Sequence, residues 1–190
     1  MLPERREATF VDVTGERVRR APVLPDPHLE LFHGPAGAEG LEAELASVGE
    51  RLGMGLVLLG HVNGERYTVV ALHRREPRYA LEPGDVIPIG ETYCRQEITA
   101  DKAFVLGNAA LDPRFASHPG YLKYGLIAYV GAPITLPDGT VFGTLCAVDA
   151  EPKVPRLDAV EHLVATSERL GRLVALRLRE SRARRAALGD

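Results

Sequence analysis

Cys94, followed directly by Arg95, is the side chain in this sequence with the sharpest chemical potential. A guanidinium or a short helix end beside a thiol lowers its pKa and favours the nucleophilic thiolate. The plainer reading of Cys94 is a small, half-buried residue packing under a pocket. Cys146 lies inside the apolar run VFGTLCAVDA and reads as core. Two thiols allow at most one internal disulfide. The spacing leaves open whether Cys146 reaches Cys94. The six histidines, His28, His33, His61, His73, His118 and His162, lack metal-site spacing, so no metal is expected. His118 is weighed as a pocket residue against an ordinary surface histidine. Asp112-Pro113-Arg114 invites a ligand role, yet this tripeptide more readily nucleates a turn with the carboxylate accepting backbone N–H groups. No Gly-rich phosphate loop, carboxylate pair or Ser-His-Asp arrangement stands out, which leaves hydrolase chemistry without residues to run it.

Positioning these groups falls to an alternation of strands and broken segments. AEGLEAELASVGERLGM places Leu41, Leu45, Val48 and Leu52 at helical spacing, with Gly53 where a left-handed cap would sit. GLVLLGHV and ERYTVVALHR flank Asn63-Gly64, a dipeptide suited to positive φ at both turn positions of a hairpin. DVIPIG and KAFVLG read as short strands on either side of the segment carrying Cys94. Residues 108–125 hold Pro113, Pro119, Gly120 and Gly125 together with Phe115, Tyr121 and Tyr124, too apolar for a linker and too broken for a long element. They read as a folded-over lid. LIAYVGAPIT and VFGTLCAVDA pair across Pro137-Asp138-Gly139. Alternation sets Ile127, Tyr129 and Gly131 on one face, and Phe142, Thr144 and Cys146 together on one face of the next strand. A pocket needs a few polar groups amid apolar walls, so the faces bearing Tyr129 and Thr144 are assigned to it.

From Arg156 onward the chain is proline-free with a broad apolar stripe, a helix of some thirty residues spanning about 45 Å. That exceeds the needs of one small domain, so part of it is expected against another chain, with Ser167 and Gly171 interrupting a strict heptad. Its basic end, Arg177 to Arg185, reads as a solvated terminus complementing the macrodipole.

At 190 residues with 45% apolar residues and a net charge of −3, the chain reads as one soluble domain with extensions and nothing pointing to nucleic acid. MLPERREATF has no apolar run behind its charges, and no stretch has the length of a membrane span, so a cytoplasmic protein without membrane contact is expected.

Taken in order, TYCRQEI, NAALDPRF, AYVGAPI, PDG and FGTLCAVD resemble a GAF domain, the small-molecule-sensing module of bacterial sensor kinases and cyclases. The resemblance covers roughly residues 38–180. It implies an α+β fold: a central antiparallel sheet of five or six strands, helices on one face and a loop-covered pocket on the other. It implies ligand-binding roles for Tyr93, Cys94, Asp112, Phe115, Tyr121, Tyr124, Tyr129, Thr144 and Cys146. The expected organisation is an N-terminal arm over 1–36 with a small hairpin around Thr14 and Gly15, a GAF core over 37–155, and a C-terminal helix over 156–190 completing the domain and a dimer interface.

The function expected is a regulatory domain without its own output domain, a homodimer binding an unidentified small molecule and acting on a signalling partner. One alternative is an interaction-only dimerisation module whose pocket is filled by Phe115, Tyr121 and Tyr129. Another is a thiol-dependent free methionine-(R)-sulfoxide reductase, in which Cys94 would be catalytic. That branch carries an essential cysteine in the lid, where ASHPGYLKYGLIAYV has none. The cofactor is left unknown; covalent bilin is not expected, because Tyr124-Gly125 stands where a Cys-His attachment pair would be.

Overall fold

A computed structural model describes residues 10–11, 17–18 and 35–188 of the chain. Within the arm, β1 (Phe10–Val11) and β2 (Arg17–Val18) pair antiparallel, Phe10 opposite Val18. The APVLPDPH stretch and the Thr14-Gly15 turn itself lie outside the described residues. Helix α1 (Pro35–Leu52) ends at Gly53, whose φ of 65° supplies the left-handed cap that only glycine adopts without penalty.

Six strands form one antiparallel sheet: β3 (Leu56–Asn63), β4 (Arg66–Arg74), β5 (Val86–Pro88), β6 (Phe104–Leu106), β7 (Ala128–Thr135) and β8 (Val141–Asp149). Their spatial order is β5-β4-β3-β8-β7-β6. The β3–β4 turn departs from the Asn63-Gly64 expectation. Asn63 stays in the ladder opposite Arg66, and the turn residues are Gly64 and Glu65. Positive φ falls on Gly64 alone, at 60°, the pattern of a turn with glycine in its first central position.

Helices α1 and α4 (Leu157–Leu188) cover one face. Leu45 and Val48 of α1 and Leu163, Leu170 and Val174 of α4 meet Val57, Leu59, Val130 and Leu145 in a dry core. Gly171 is required by that packing: a Cβ there would lie 2.2 Å from the Thr135 carbonyl oxygen, so glycine lets the helix seat directly on β7. This accounts for a residue that breaks the heptad. No described helix is long and apolar enough to cross a membrane.

Two bulges redirect side chains between the faces. Leu59 pairs with Ala71 and Gly60 with Val69, leaving Val70 as the extra residue. Ile134 pairs with Gly143 and Thr135 with Val141, leaving Phe142 as the second. Phe142 therefore turns into the helix-side core, where its ring lies 4.6 Å from that of His61. The expectation that Phe142 shares a face with Cys146 is corrected by this bulge, since one inserted residue inverts a period-two pattern.

Candidate functional site

β5 and β6 lie at opposite edges of the sheet, so the chain joining them must traverse its whole width. It does so through the 3-10 turn Ile89–Glu91 and the short helix α2 (Arg95–Ala100), on the face away from α1 and α4. The crossing brings Cys94 over β8 at the centre of the sheet. Its Sγ lies 4.0 Å from Sγ of Cys146, a residue held in β8 opposite both Leu58 and Gly131. Both thiols are free and buried. The Tyr67 hydroxyl is 3.7 Å from the Cys146 sulfur on its other side.

A cleft of about 680 Å³, counted out to its open mouth, runs along this face. Leu56, Leu58, Ile87, Leu126 and Val148 make the apolar wall, and the tyrosines Tyr67, Tyr79, Tyr93, Tyr124 and Tyr129 present rings to it, with Arg78 and Glu91 as charged groups at the lining. The lid packs against the crossing segment through aromatic contacts. Tyr93 stacks on His118 at 4.7 Å, meets Phe115 edge-on at 5.7 Å and Tyr129 at 5.4 Å, and donates to the Leu126 carbonyl at 2.8 Å. The Tyr124 hydroxyl and Lys123 both bond Glu91, Lys123 at 2.8 Å, which ties the lid helix α3 (Pro119–Leu122) and its flank to the 3-10 turn.

Of the residues expected here, Tyr93, Cys94, Tyr124, Tyr129 and Cys146 line the cleft. The others stand elsewhere. Asp112 closes a turn, accepting the Arg114 backbone N–H at 3.0 Å and the Arg114 guanidinium at 2.6 Å. Phe115 is buried behind Tyr93, Tyr121 packs at the edge of the same cluster, and Thr144 is fully buried with its hydroxyl unpartnered. His118, half-buried, caps α3 by accepting the Gly120 N–H at 3.0 Å.

The electrostatics differ from the expected source. Arg95 is exposed and faces Glu65 at 3.7 Å, so it does not act on Cys94. Burial pushes the Cys94 thiol up, but hydrogen bonding to the sulfur, first that from Cys146, outweighs it and holds the thiol below its ordinary value. Cys146 moves the other way, raised by its hydrogen bond to Cys94 and by burial. Within this pair Cys94 is the thiol that ionises first. Burial also raises the hydroxyls of Tyr67, Tyr93 and Tyr129, and that of Tyr79 up to about 12, so all four are neutral donors at physiological pH.

Glu97 was not among the expected residues. Glu97 lies in α2 and is fully buried beneath Tyr129, whose hydroxyl donates to Oε1. Its other oxygen, Oε2, has no partner. Burial, then the nearby Cys94, holds this carboxyl well above the usual range, so it is a neutral acid. Gly131 makes room for it: a Cβ there would sit 2.5 Å from Oε1. Nothing in the sequence pattern around Glu97 signals this burial. Tyr67 was legible in principle, since it alternates with Val69 on one face of β4. Arg78 and Tyr79 follow the end of β4 in a loop with no periodic signal; the Arg78 guanidinium lies 5.6 Å from the Tyr79 ring and 3.8 Å from the buried Asp149.

A family model for the GAF domain matches residues 38–178. Over 92 residues the chain is 35% identical to a cyclic di-GMP phosphodiesterase of Pseudomonas aeruginosa, a match covering 48% of this chain but 15% of the length of that protein. The phycoerythrobilin-bound GAF domain of a cyanobacterial phytochrome has a TM-score of 0.61 at 20% identity, over 73% of this chain and 84% of that one. The type II free methionine-R-sulfoxide reductase of Thermoplasma acidophilum has a TM-score of 0.57 at 10% identity, over 78% and 95%. At such identities these structural likenesses speak for the fold alone.

Proposed function

The chain belongs to the GAF domain family of signalling and ligand-binding modules, and from that premise we propose that it is a small-molecule sensor whose ligand occupies the tyrosine-lined cleft. One observation carries this reading: the cleft stays open although aromatic side chains surround it. Phe115 and Tyr121 pack behind the wall, which favours a sensor over an interaction-only module with a self-filled pocket. Apolar walls with a few hydroxyls and a charged rim suit a compact, largely apolar ligand with a small number of polar groups.

The route from ligand to output runs through the sheet. β8 presents Cys146 and Val148 to the cleft and Leu145 and Ala147 to the helix-side core, so a shift of this strand reaches α4. Among the described side chains of α4 none is buried from Ala175 to Ala187, and Leu176 is 57% exposed. We assign the exposed side of this stretch, with Leu176, to a homodimer contact that passes occupancy to a signalling partner. The matched cyclic di-GMP phosphodiesterase supports a place in signalling; its catalytic activity is not carried over. Switching requires a ligand that binds the two arrangements with different affinity.

Native mass spectrometry of freshly purified protein tests the reading. A dimer with a reproducible bound mass, lost when Leu126→Trp fills the cleft mouth, is expected. Equal retention of that mass by the filled variant would place the ligand elsewhere.

A further inference from the structure

The two sulfurs at the cleft floor carry an inference that stands apart from ligand sensing. Cys94 and Cys146 are 52 residues apart in the chain and reach each other because the β5-to-β6 crossing lays one over the strand bearing the other. Both residues are buried at the lining of the cleft, so a small molecule that reaches its floor lies beside the pair. A separation of 4.0 Å leaves about 2 Å to close before a disulfide bond forms, and Cys94 stands at the head of a six-residue helix, free of the ladder that fixes Cys146 on two sides. The Tyr129 and Tyr67 hydroxyls flank the pair, and the surrounding wall is apolar.

We propose that Cys94 and Cys146 form a redox-active dithiol that reduces a small hydroperoxide admitted through the cleft. The Cys94 thiolate attacks the terminal oxygen of the hydroperoxide; an S–O bond forms, the O–O bond breaks, and the alkoxide leaves with a proton as the alcohol. The Cys146 sulfur then attacks the Cys94 sulfenic acid; the S–S bond forms, the S–O bond breaks, and hydroxide leaves with the Cys146 proton as water. Two thiols and one hydroperoxide give one disulfide, one alcohol or water, and one water, with two electrons passing from the sulfurs to oxygen. Cys94 is the attacking member because it heads a short helix free of the ladder and hydrogen bonding lowers its thiol pKa, whereas Cys146 is fixed in β8 with its thiol pKa raised. The closed bond would fasten the crossing segment to β8 and so reshape the cleft wall.

The test treats the whole protein with equimolar tert-butyl hydroperoxide and, separately, hydrogen peroxide, then alkylates under denaturing conditions and digests. The expected product is a peptide pair joining Cys94 to Cys146, abolished by dithiothreitol, with the intact protein lighter by two hydrogens. Cys146→Ala should arrest the reaction at a dimedone-trappable sulfenic acid on Cys94, whereas Cys94→Ala should consume hydroperoxide no faster than a free thiol. Full alkylation of both wild-type cysteines after exposure would overturn the proposal, without relying on a variant that folds. A disulfide formed with free methionine sulfoxide but not with either hydroperoxide would overturn it too, and would move the site to sulfoxide reduction.

Discussion

Replacing Glu97 with glutamine should make the protein more stable at neutral pH and remove part of its pH dependence. Glu97 is fully buried, one oxygen takes the Tyr129 hydroxyl and the other has no partner. The folded state therefore holds the proton more tightly than the unfolded chain, whose carboxyl titrates near 4.3. Below the unfolded pKa both states are protonated and the group is neutral in its effect. As pH rises above it, the unfolded chain releases the proton while the folded protein keeps it, so stability falls by about 1.4 kcal/mol per pH unit until the folded pKa is reached. Glutamine keeps the shape and the acceptor for Tyr129 but carries no titratable proton. Urea denaturation of wild type and Glu97→Gln from pH 4 to 8, both on a Cys94→Ala background that removes the coupled thiol, measures the difference. The two should lie close together at the acid end, and the variant should gain on the wild type with that slope as pH rises. A difference that stays flat with pH would refute a neutral buried carboxyl and the electrostatics built on it.

Two structural predictions concern the sheet. Gly143→Ala should cost about 3 kcal/mol or more, because the added Cβ would stand 1.8 Å from the Gly60 carbonyl oxygen and force β3 from β8; the urea midpoint would report it. Asp149→Ala should cost about 2–4 kcal/mol, since this buried carboxylate accepts the Gly55 and Glu151 N–H groups at 2.9 Å each and pairs with Lys153 at 2.9 Å; thermal unfolding checks this.

Much of the architecture is legible in the residues. Helical spacing marked α1 and α4, Gly53 marked the end of α1, and the Pro137-Asp138-Gly139 turn joined β7 to β8, with Gly139 at φ 85°. Tyr129 lies on the cleft face, because from Ala128 to Ile134 β7 keeps its period of two. What escaped was set by distant geometry. A single inserted residue at Phe142 or Val70 inverts the alternation, and sequence carries no count of bulges. The thiol pair depends on β5 and β6 taking opposite edges, which no local signal fixes. Glu97 escaped for the same reason: its polar surroundings describe a surface, and only the crossing buries it under Tyr129. Adjacency in sequence does not place a guanidinium against a sulfur: the charge of Arg95 faces Glu65.

A sensor of this design requires a small molecule in the cleft beneath the lid. The most direct test is methyl-resolved NMR of the labelled protein, titrated with the organic extract recovered by denaturing a freshly purified sample. Shifts should appear at the cleft methyls of Leu56, Leu58, Ile87, Leu126 and Val148, with Leu45 and Leu163 of the helix-side core moving less. Silence at the cleft methyls, or perturbation confined to the helix face, would contradict the account.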